Sequence, residues 1–142
     1  MKYRKFQNTE VENTFNTYSE AVKNKLLFFR EMIFQIADES DDIGKIKETL
    51  KWENPSYLTY SPRSGTTIRL FGVREDNDKC AVSVHCQTSL VSEFKEIYPE
   101  LEYDGNRSLI VNINHELPLA KIRHFIYSAL TYHYRKKHGI GI

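Results

Sequence analysis

The hydrophobic pattern of this chain changes period around residues 52–57, whose sequence is Trp-Glu-Asn-Pro-Ser-Tyr. Before this segment apolar residues recur every three or four positions, as on a helix; after it they alternate, as on a strand. Pro55 disfavours helical backbone at the residue before it, so we expect a helical half to end here. The segment also holds the only tryptophan, a large ring that at such a bend would seal a core or line a pocket.

The length of 142 residues fits one domain, and a 40% hydrophobic content is typical of an ordered globular protein. Residues 1–11 are polar and have no clear period, which predicts a solvated N-terminal arm. We therefore expect a single domain over residues 12–142.

The periodicity predicts the order α-α-β-β-β-α-β-β-α. Val22, Leu26, Phe29 and Ile33 share one face of a first helix over residues 18–37. The other predicted elements are a helix at 43–51, strands at 57–60, 66–73 and 79–86, a helix at 89–98, strands at 101–103 and 108–113, and a terminal helix at 119–137. Because the links between strands are too short for parallel crossovers, the sheet is predicted to be antiparallel, in an α+β domain packed by helices.

The net charge of +1 offers no global field that would attract a polyanion, so no nucleic-acid partner is expected. The C-terminal segment 132–138 is basic with interleaved aromatic residues, a mixture that could meet phosphates and bases. Positive side chains are equally favoured by the dipole at a helix C-terminus, and with a net charge of +1 that interpretation is preferred. The sequence does not indicate an oligomeric state.

No run approaches the ~18 apolar residues that a membrane span requires, so no membrane partner is expected. The two cysteines, Cys80 and Cys86, suit a reducing compartment better than a disulfide framework. The predicted location is the cytoplasm.

A metal site is conceivable at the acidic run formed by Asp38, Glu39, Asp41 and Asp42, because hard cations such as iron prefer clustered oxygen ligands. A solvated loop between helices is the alternative. Cys80, His85 and Cys86 match no familiar zinc spacing. No cofactor is expected apart from iron at the acidic run.

No catalytic motif is present: the chain has no phosphate-binding glycine loop, no nucleophile elbow and no His-Glu-x-x-His pattern. A nucleophilic Cys86 assisted by His115 or His124 remains geometrically possible. Whether the protein is an enzyme is therefore open, with a non-enzymatic role preferred.

The pattern Glu48, Leu50, Trp52, Pro55 and Tyr57, followed later by Arg107-Ser108, resembles the YdhG-like family, a bacterial family of unknown function. The resemblance covers about residues 12–138. This chain has Glu53 where the family usually has glycine. The resemblance implies an antiparallel α+β domain in the cytosol without enzymatic activity. Some members are described as frataxin-like iron chaperones, but their acids map onto no defined motif here.

The leading hypothesis is a non-catalytic domain that binds a small or anionic ligand, or a partner, at a cleft lined by Trp52, Pro55, Tyr57, Arg107 and Ser108. Alternatively, Trp52 and Pro55 only lock a helix to the sheet. An iron chaperone using the acidic run and an undetected enzyme are the other functions considered.

Overall fold

Six antiparallel strands form one sheet, and helices cover one of its two faces. The computed structural model describes residues 3–142. In chain order the elements are α1 (Thr9–Phe15), α2 (Glu20–Asp38), β1 (Lys45–Lys51), β2 (Asn54–Tyr60), β3 (Ile68–Gly72), β4 (Lys79–Ser83), α3 (Leu90–Ile97), β5 (Glu102–Asp104), β6 (Ser108–Asn112), α4 (Leu119–Leu130) and α5 (Tyr132–His138). The strand order across the sheet is β1-β2-β3-β4-β6-β5.

The predicted fold class, an α+β domain with an antiparallel sheet packed by helices, is confirmed. The predicted order is also present, because two helices precede the strands and a helix separates the last two strands from the others. The assignment of residues 43–51 to the second of those helices is wrong. Residues 45–51 of this segment form β1, and the helix that precedes α2 is α1.

The cause of that error is Glu48, which faces the core from β1 between Ile46 and Leu50. An inward-facing charge breaks the apolar alternation by which a half-buried strand is recognised. Ile46, Glu48 and Leu50 share the inward face of β1, but the charge of Glu48 hides this pattern in the sequence. The strand becomes recognisable only when the buried partner of Glu48 is known.

The core lies between the helices and the inner face of the sheet. The side chain of Ser19 accepts a hydrogen bond from the amide of Val22 and so caps α2. From there α2 buries a broad apolar face, as its sequence predicts. The buried core residues of α2 and α4 are Val22, Leu26, Leu27, Phe29, Met32, Ile33, Phe34, Ile36, Ala37, Ile122, Phe125, Ile126, Ala129 and Leu130.

The N-terminal segment packs on the domain from Tyr3 onward, so the solvated arm expected for residues 1–11 is wrong for that part; residues 1 and 2 lie outside the described residues. The side-chain amide of Gln7 bonds both the carbonyl of Ile46 and the amide of Glu48, at 2.9 and 2.7 Å. The Asn8 side chain donates to the Glu48 carbonyl at 3.2 Å. These side chains satisfy backbone groups of β1 that face away from β2.

The terminal helix predicted over residues 119–137 is interrupted at Thr131. There the amide of Tyr134 donates to the carbonyl of Ser64, and the carbonyl of Leu130 accepts from the Ser64 hydroxyl, at 2.9 and 2.8 Å. Ser64 thus replaces the helical hydrogen bond between Tyr134 and Leu130, and α5 begins after this break. Within residues 3–142, no helix combines the length and the apolar content that crossing a membrane needs.

Candidate functional site

Trp52 occupies the tip of the hairpin between β1 and β2. Trp52 and Glu53 are the two residues of the turn, and both have positive φ, at 53° and 64°. Such a turn favours glycine and asparagine, because other side chains pay a steric cost in left-handed backbone. The ring of Trp52 is nonetheless 84% exposed. The turn therefore carries a large aromatic side chain that contributes little to the core, and the helix-to-sheet junction expected at this segment is wrong.

Two adjoining cavities, of about 800 and 610 Å³, lie on the face of the sheet opposite the main helices. Trp52, Arg69 and His85 line both. We call the two together the open-face groove. The larger cavity is also lined by Lys51, Leu58, Thr59, Arg63, Gly65, Thr66, Thr67, Gln87, Thr88, Tyr132, His133 and Lys136, and the smaller by Asn54, Phe71, Ser83, Cys86, Asp104, Arg107 and Ser108.

A row of polar residues runs across four strands on the face that carries the groove, and its members Arg69, Ser83 and Ser108 line the groove. Ser56 pairs with Arg69, Arg69 with Ser83, and Ser83 with Ser108. Because paired residues of neighbouring strands point to the same face, this row lies opposite the core. The hydroxyl of Ser108 donates to that of Ser83 at 3.1 Å, and Ser83 donates to the carbonyl of Arg107 at 3.3 Å. Arg69 is thereby the cation nearest the centre of the sheet.

One wall of the groove joins the loop between β2 and β3 to the start of α5. The amide of Thr66 donates to the carbonyl of Ala129 at 2.9 Å, next to the two contacts of Ser64 described above. A Cβ at Gly65 would lie 2.5 Å from backbone atoms of Ala129 and Leu130, so only glycine allows this approach. The close fit places Arg63 of the loop and Lys136 of the helix at the same cavity.

The groove concentrates positive charge. Among the described residues that line it, the cationic side chains are Lys51, Arg63, Arg69, Arg107 and Lys136, and the one carboxylate is that of Asp104. Within residues 3–142 none of the five forms an ion pair. Five cations and one carboxylate give the groove a net charge of +4. Because the whole chain has a net charge of +1, the rest of it has a net charge of −3.

His133 reports the same positive potential. Desolvation and, after it, the charges of Arg63 and Lys136 lower the pKa of His133 below its ordinary value of 6.5. A neighbouring carboxylate would act in the opposite direction. The larger cavity, whose described lining includes no acidic residue, is therefore suited to an anion.

Of the five predicted ligand-binding residues, three line the groove. Trp52, Arg107 and Ser108 all border its smaller cavity. Pro55 is buried in β2, paired with Leu50, and lines neither cavity. Tyr57 is fully buried on the core side of the sheet, against Phe34 of α2. The prediction that Pro55 and Tyr57 line the cleft is therefore wrong. Side-chain alternation along β2 places Tyr57 on the face of the sheet that packs against the helices, away from the groove.

Tyr57 belongs instead to a buried polar network. Its hydroxyl donates to the carboxylate of Glu48 at 2.8 Å, and Arg30 donates to the same carboxylate through Nε and a terminal nitrogen, at 2.5 and 3.0 Å. Arg30 also donates to the carbonyls of Arg4 and Lys5. Arg30, Glu48 and Tyr57 therefore connect helix, sheet and N-terminal segment inside the core.

The four acidic residues predicted as a weak metal site do not converge. Asp38 pairs with Arg4 at 2.6 Å, and Glu39 pairs with Arg123 of α4. Asp41 and Asp42 are exposed in the loop after α2. Within residues 3–142 no three His, Cys, Asp or Glu side chains are placed to hold a metal ion.

The possible catalytic cysteine also lacks its histidine partners. Cys86 lies in the smaller cavity of the groove, where Arg107 contacts its sulfur at 3.9 Å. His115 borders a separate cavity beside β5, β6 and α4. His124 bonds the Tyr98 hydroxyl at 2.9 Å. Cys80 is buried in the core, where desolvation raises the pKa of its thiol to about 12.

The sequence interpretation missed Arg69, Arg63 and Lys136 as site residues. Strand alternation over the predicted strand 66–73 contains the signal for Arg69, since Arg69 and Phe71 alternate with Ile68 and Leu70. For the basic segment 132–138, the sequence favours an interaction with the helix dipole instead. Three of its residues, Tyr132, His133 and Lys136, line the groove.

No protein-family model, curated protein or solved structure matches this chain. The resemblance to the YdhG-like family therefore stays a prediction. The positive φ of Glu53 does explain why glycine would suit that position.

Proposed function

We propose that this protein is a non-catalytic binding domain whose ligand is anionic and is held in the open-face groove. The observation that carries the proposal is the convergence of five cationic side chains around the exposed ring of Trp52. Guanidinium groups form strong, directional hydrogen bonds with phosphate and carboxylate oxygens. Trp52 would add stacking with a planar part of the ligand.

Backbone strain at the hairpin supports a binding role for Trp52. Left-handed backbone destabilises an ordinary residue by about 1–2 kcal/mol. Because the Trp52 ring is exposed, its burial does little to offset this destabilisation. Strain that brings no stability is often found where a side chain is positioned for function. At a turn where glycine or asparagine would be easier to accommodate, Trp52 is best explained by what it contacts in a complex.

Two other functions have less support. The iron-chaperone alternative depends on the acidic run, in which Asp38 and Glu39 already pair with arginines. The enzyme alternative pairs Cys86 with His115 or His124, and of these three residues only Cys86 lines the groove. A binding domain needs only the groove itself.

The proposal is tested by calorimetric titration with inorganic pyrophosphate, citrate and adenosine monophosphate at low ionic strength. We expect at least one to bind more tightly than ~1 mM, equivalent to about 4 kcal/mol. Arg69→Gln should weaken that binding about tenfold, the loss of one charge-assisted contact. The matched control is Arg74→Gln, which removes an exposed arginine outside the groove. Equal affinities of the two variants, or no binding of any anion, would contradict the proposal.

A further inference from the structure

The open-face groove is a shallow trough rather than an enclosed pocket. Lys51, Arg63, Arg107 and Lys136 are exposed at its margins, and Trp52 is almost fully exposed above it. Sites for small molecules commonly bury 70–90% of the ligand surface. A groove whose margins are this exposed encloses a small ligand less completely, and it can hold one segment of a polymer whose chain continues beyond it.

The positive charge is distributed along the trough. Lys51, Arg63 and Lys136 lie at the larger cavity, Arg107 lies at the smaller one, and Arg69 borders both. An anion with one charged group would meet only part of this set. A chain with a charge on every unit could contact cations in both cavities at once.

The same face offers flat aromatic surface between the cations. Phe71 of β3 borders the smaller cavity and is half-buried, and Trp52 borders both cavities. Cationic grooves with aromatic platforms are the usual construction of sites for single-stranded nucleic acid, in which phosphates meet the cations and bases stack on the rings. A duplex keeps its base faces stacked internally, and an acidic peptide supplies charge without a planar ring at each unit.

We propose that the occupant of the groove is a short single-stranded stretch of nucleic acid, with a base stacked on Trp52 and phosphates at Arg69 and Arg107. This inference rests on the proposed function and names its ligand class. The net charge of +1 predicts no nucleic-acid partner. That value is the sum of a net charge of +4 in the groove and −3 in the rest of the chain. That separation confines attraction to one face of the protein.

The test is fluorescence anisotropy with labelled oligonucleotides of about ten nucleotides, oligothymidylate as DNA and oligouridylate as RNA. Competitors are thymidine monophosphate, a duplex of the same length, inorganic polyphosphate and poly-glutamate. We expect the oligonucleotide to bind more tightly than any competitor. The logarithm of its affinity should fall with the logarithm of salt concentration with a slope of up to about −3.5, the value for five neutralised phosphates on a single strand.

Two variants separate stacking from charge. Trp52→Ala should weaken oligonucleotide binding about tenfold while leaving the salt slope unchanged, because a stacked base is lost and no phosphate contact is. Arg69→Gln should weaken binding and reduce the slope by about 0.7. Arg74→Gln serves as the control for both.

The outcomes distinguish the inference from the proposed function. If poly-glutamate, polyphosphate or the duplex binds as tightly as the oligonucleotide and Trp52→Ala has no effect, the nucleic-acid inference fails and the anion site stands. If thymidine monophosphate binds as tightly as the oligonucleotide, the ligand is a small anion and the inference fails likewise. If neither the oligonucleotide nor any of the anions binds, both proposals fail.

Discussion

The guanidinium of Arg30 and the carboxylate of Glu48 form a bidentate ion pair in which both side chains are completely buried. The Glu48 carboxylate also accepts hydrogen bonds from the Tyr57 hydroxyl and from the backbone N–H of Gln7, at 2.8 and 3.0 Å. A buried charge is tolerated when its remaining hydrogen-bonding capacity is satisfied. The pair therefore depends on the position of the N-terminal segment as well as on α2 and β1.

Replacing one partner of this pair should be more damaging than replacing both. Glu48→Leu or Arg30→Met alone leaves an uncompensated buried charge and should lower the free energy of unfolding by about 3–5 kcal/mol. The double variant should lose less than either single variant. Urea denaturation measures all three, with Arg123→Met as a control that breaks an exposed pair and should cost under ~1 kcal/mol. Additive losses would contradict the coupling.

Tyr57 should make the protein sensitive to alkaline pH. Burial and, after it, the neighbouring carboxylate of Glu48 raise the pKa of Tyr57 well above its ordinary value of 10.0. The unfolded chain loses this proton first, so the stabilisation is complete below the ordinary pKa and is lost as pH rises from there through the folded-state pKa.

The measurement is the free energy of unfolding between pH about 8 and 11. Tyr57→Phe should be less stable by about 1–3 kcal/mol at the lower pH, because Glu48 loses a buried donor. It should also lose less stability than the wild type as pH rises. Tyr127→Phe, which removes an exposed hydroxyl, should behave like the wild type. Parallel pH profiles for Tyr57→Phe and the wild type would rule out this origin of the alkaline sensitivity.

The hairpin between β1 and β2 should be stabilised by substitutions that relieve its backbone strain. Glu53→Gly should raise the free energy of unfolding by about 1 kcal/mol, because glycine adopts positive φ without steric cost. Trp52→Asn should be similarly favourable for the turn and should abolish stacking in the groove. Lys47→Gly, in regular strand backbone, should instead destabilise by about 0.5–1 kcal/mol. A Glu53→Gly variant less stable than the wild type would show that the turn is not strained.

Anion binding should strengthen as pH falls through the range in which His133 titrates. Its ring faces Arg63 from the loop after β2 and Lys136 and the Tyr132 ring from α5, while His85 borders the same cavity. Burial and, after it, the two cations lower the pKa of His133 in the free protein, and a bound anion raises it. As pH falls, affinity should therefore rise between the pKa of His133 in the complex and its lower pKa in the free protein, and it should be constant at pH values below both.

Nuclear magnetic resonance can follow the His133 ring directly, without and with saturating pyrophosphate. The pKa should increase on binding, and His133→Gln should reduce the pH dependence of affinity. His138→Gln is the matched control, since His138 packs on Tyr134 and lines neither cavity. An unchanged His133 pKa in the complex would place the anion elsewhere.

The fold class was predictable from the sequence because most apolar residues obey one period at a time, as α2 and β4 do. The exceptions are the charged residues that face inward or line the groove. Glu48 is acceptable in the core only because Arg30, eighteen positions earlier, reaches the same point, and no local pattern contains that information. The groove likewise combines Trp52, Arg69 and Lys136 from three distant parts of the chain, so register and loop packing had to be known before the charges could be seen as one cluster.

The amide side chains of Gln7 and Asn8 have a consequence for how the protein behaves at high concentration. An edge strand with free backbone groups is a template on which another chain can add a strand, and this leads to aggregation. Gln7 and Asn8 already occupy the outward carbonyls of Ile46 and Glu48 and the outward amide of Glu48. The opposite edge, β5, is three residues long and carries Glu102 and Asp104. Removal of the first eight residues would open the longer edge to intermolecular pairing, so the N-terminal segment protects the sheet from self-association.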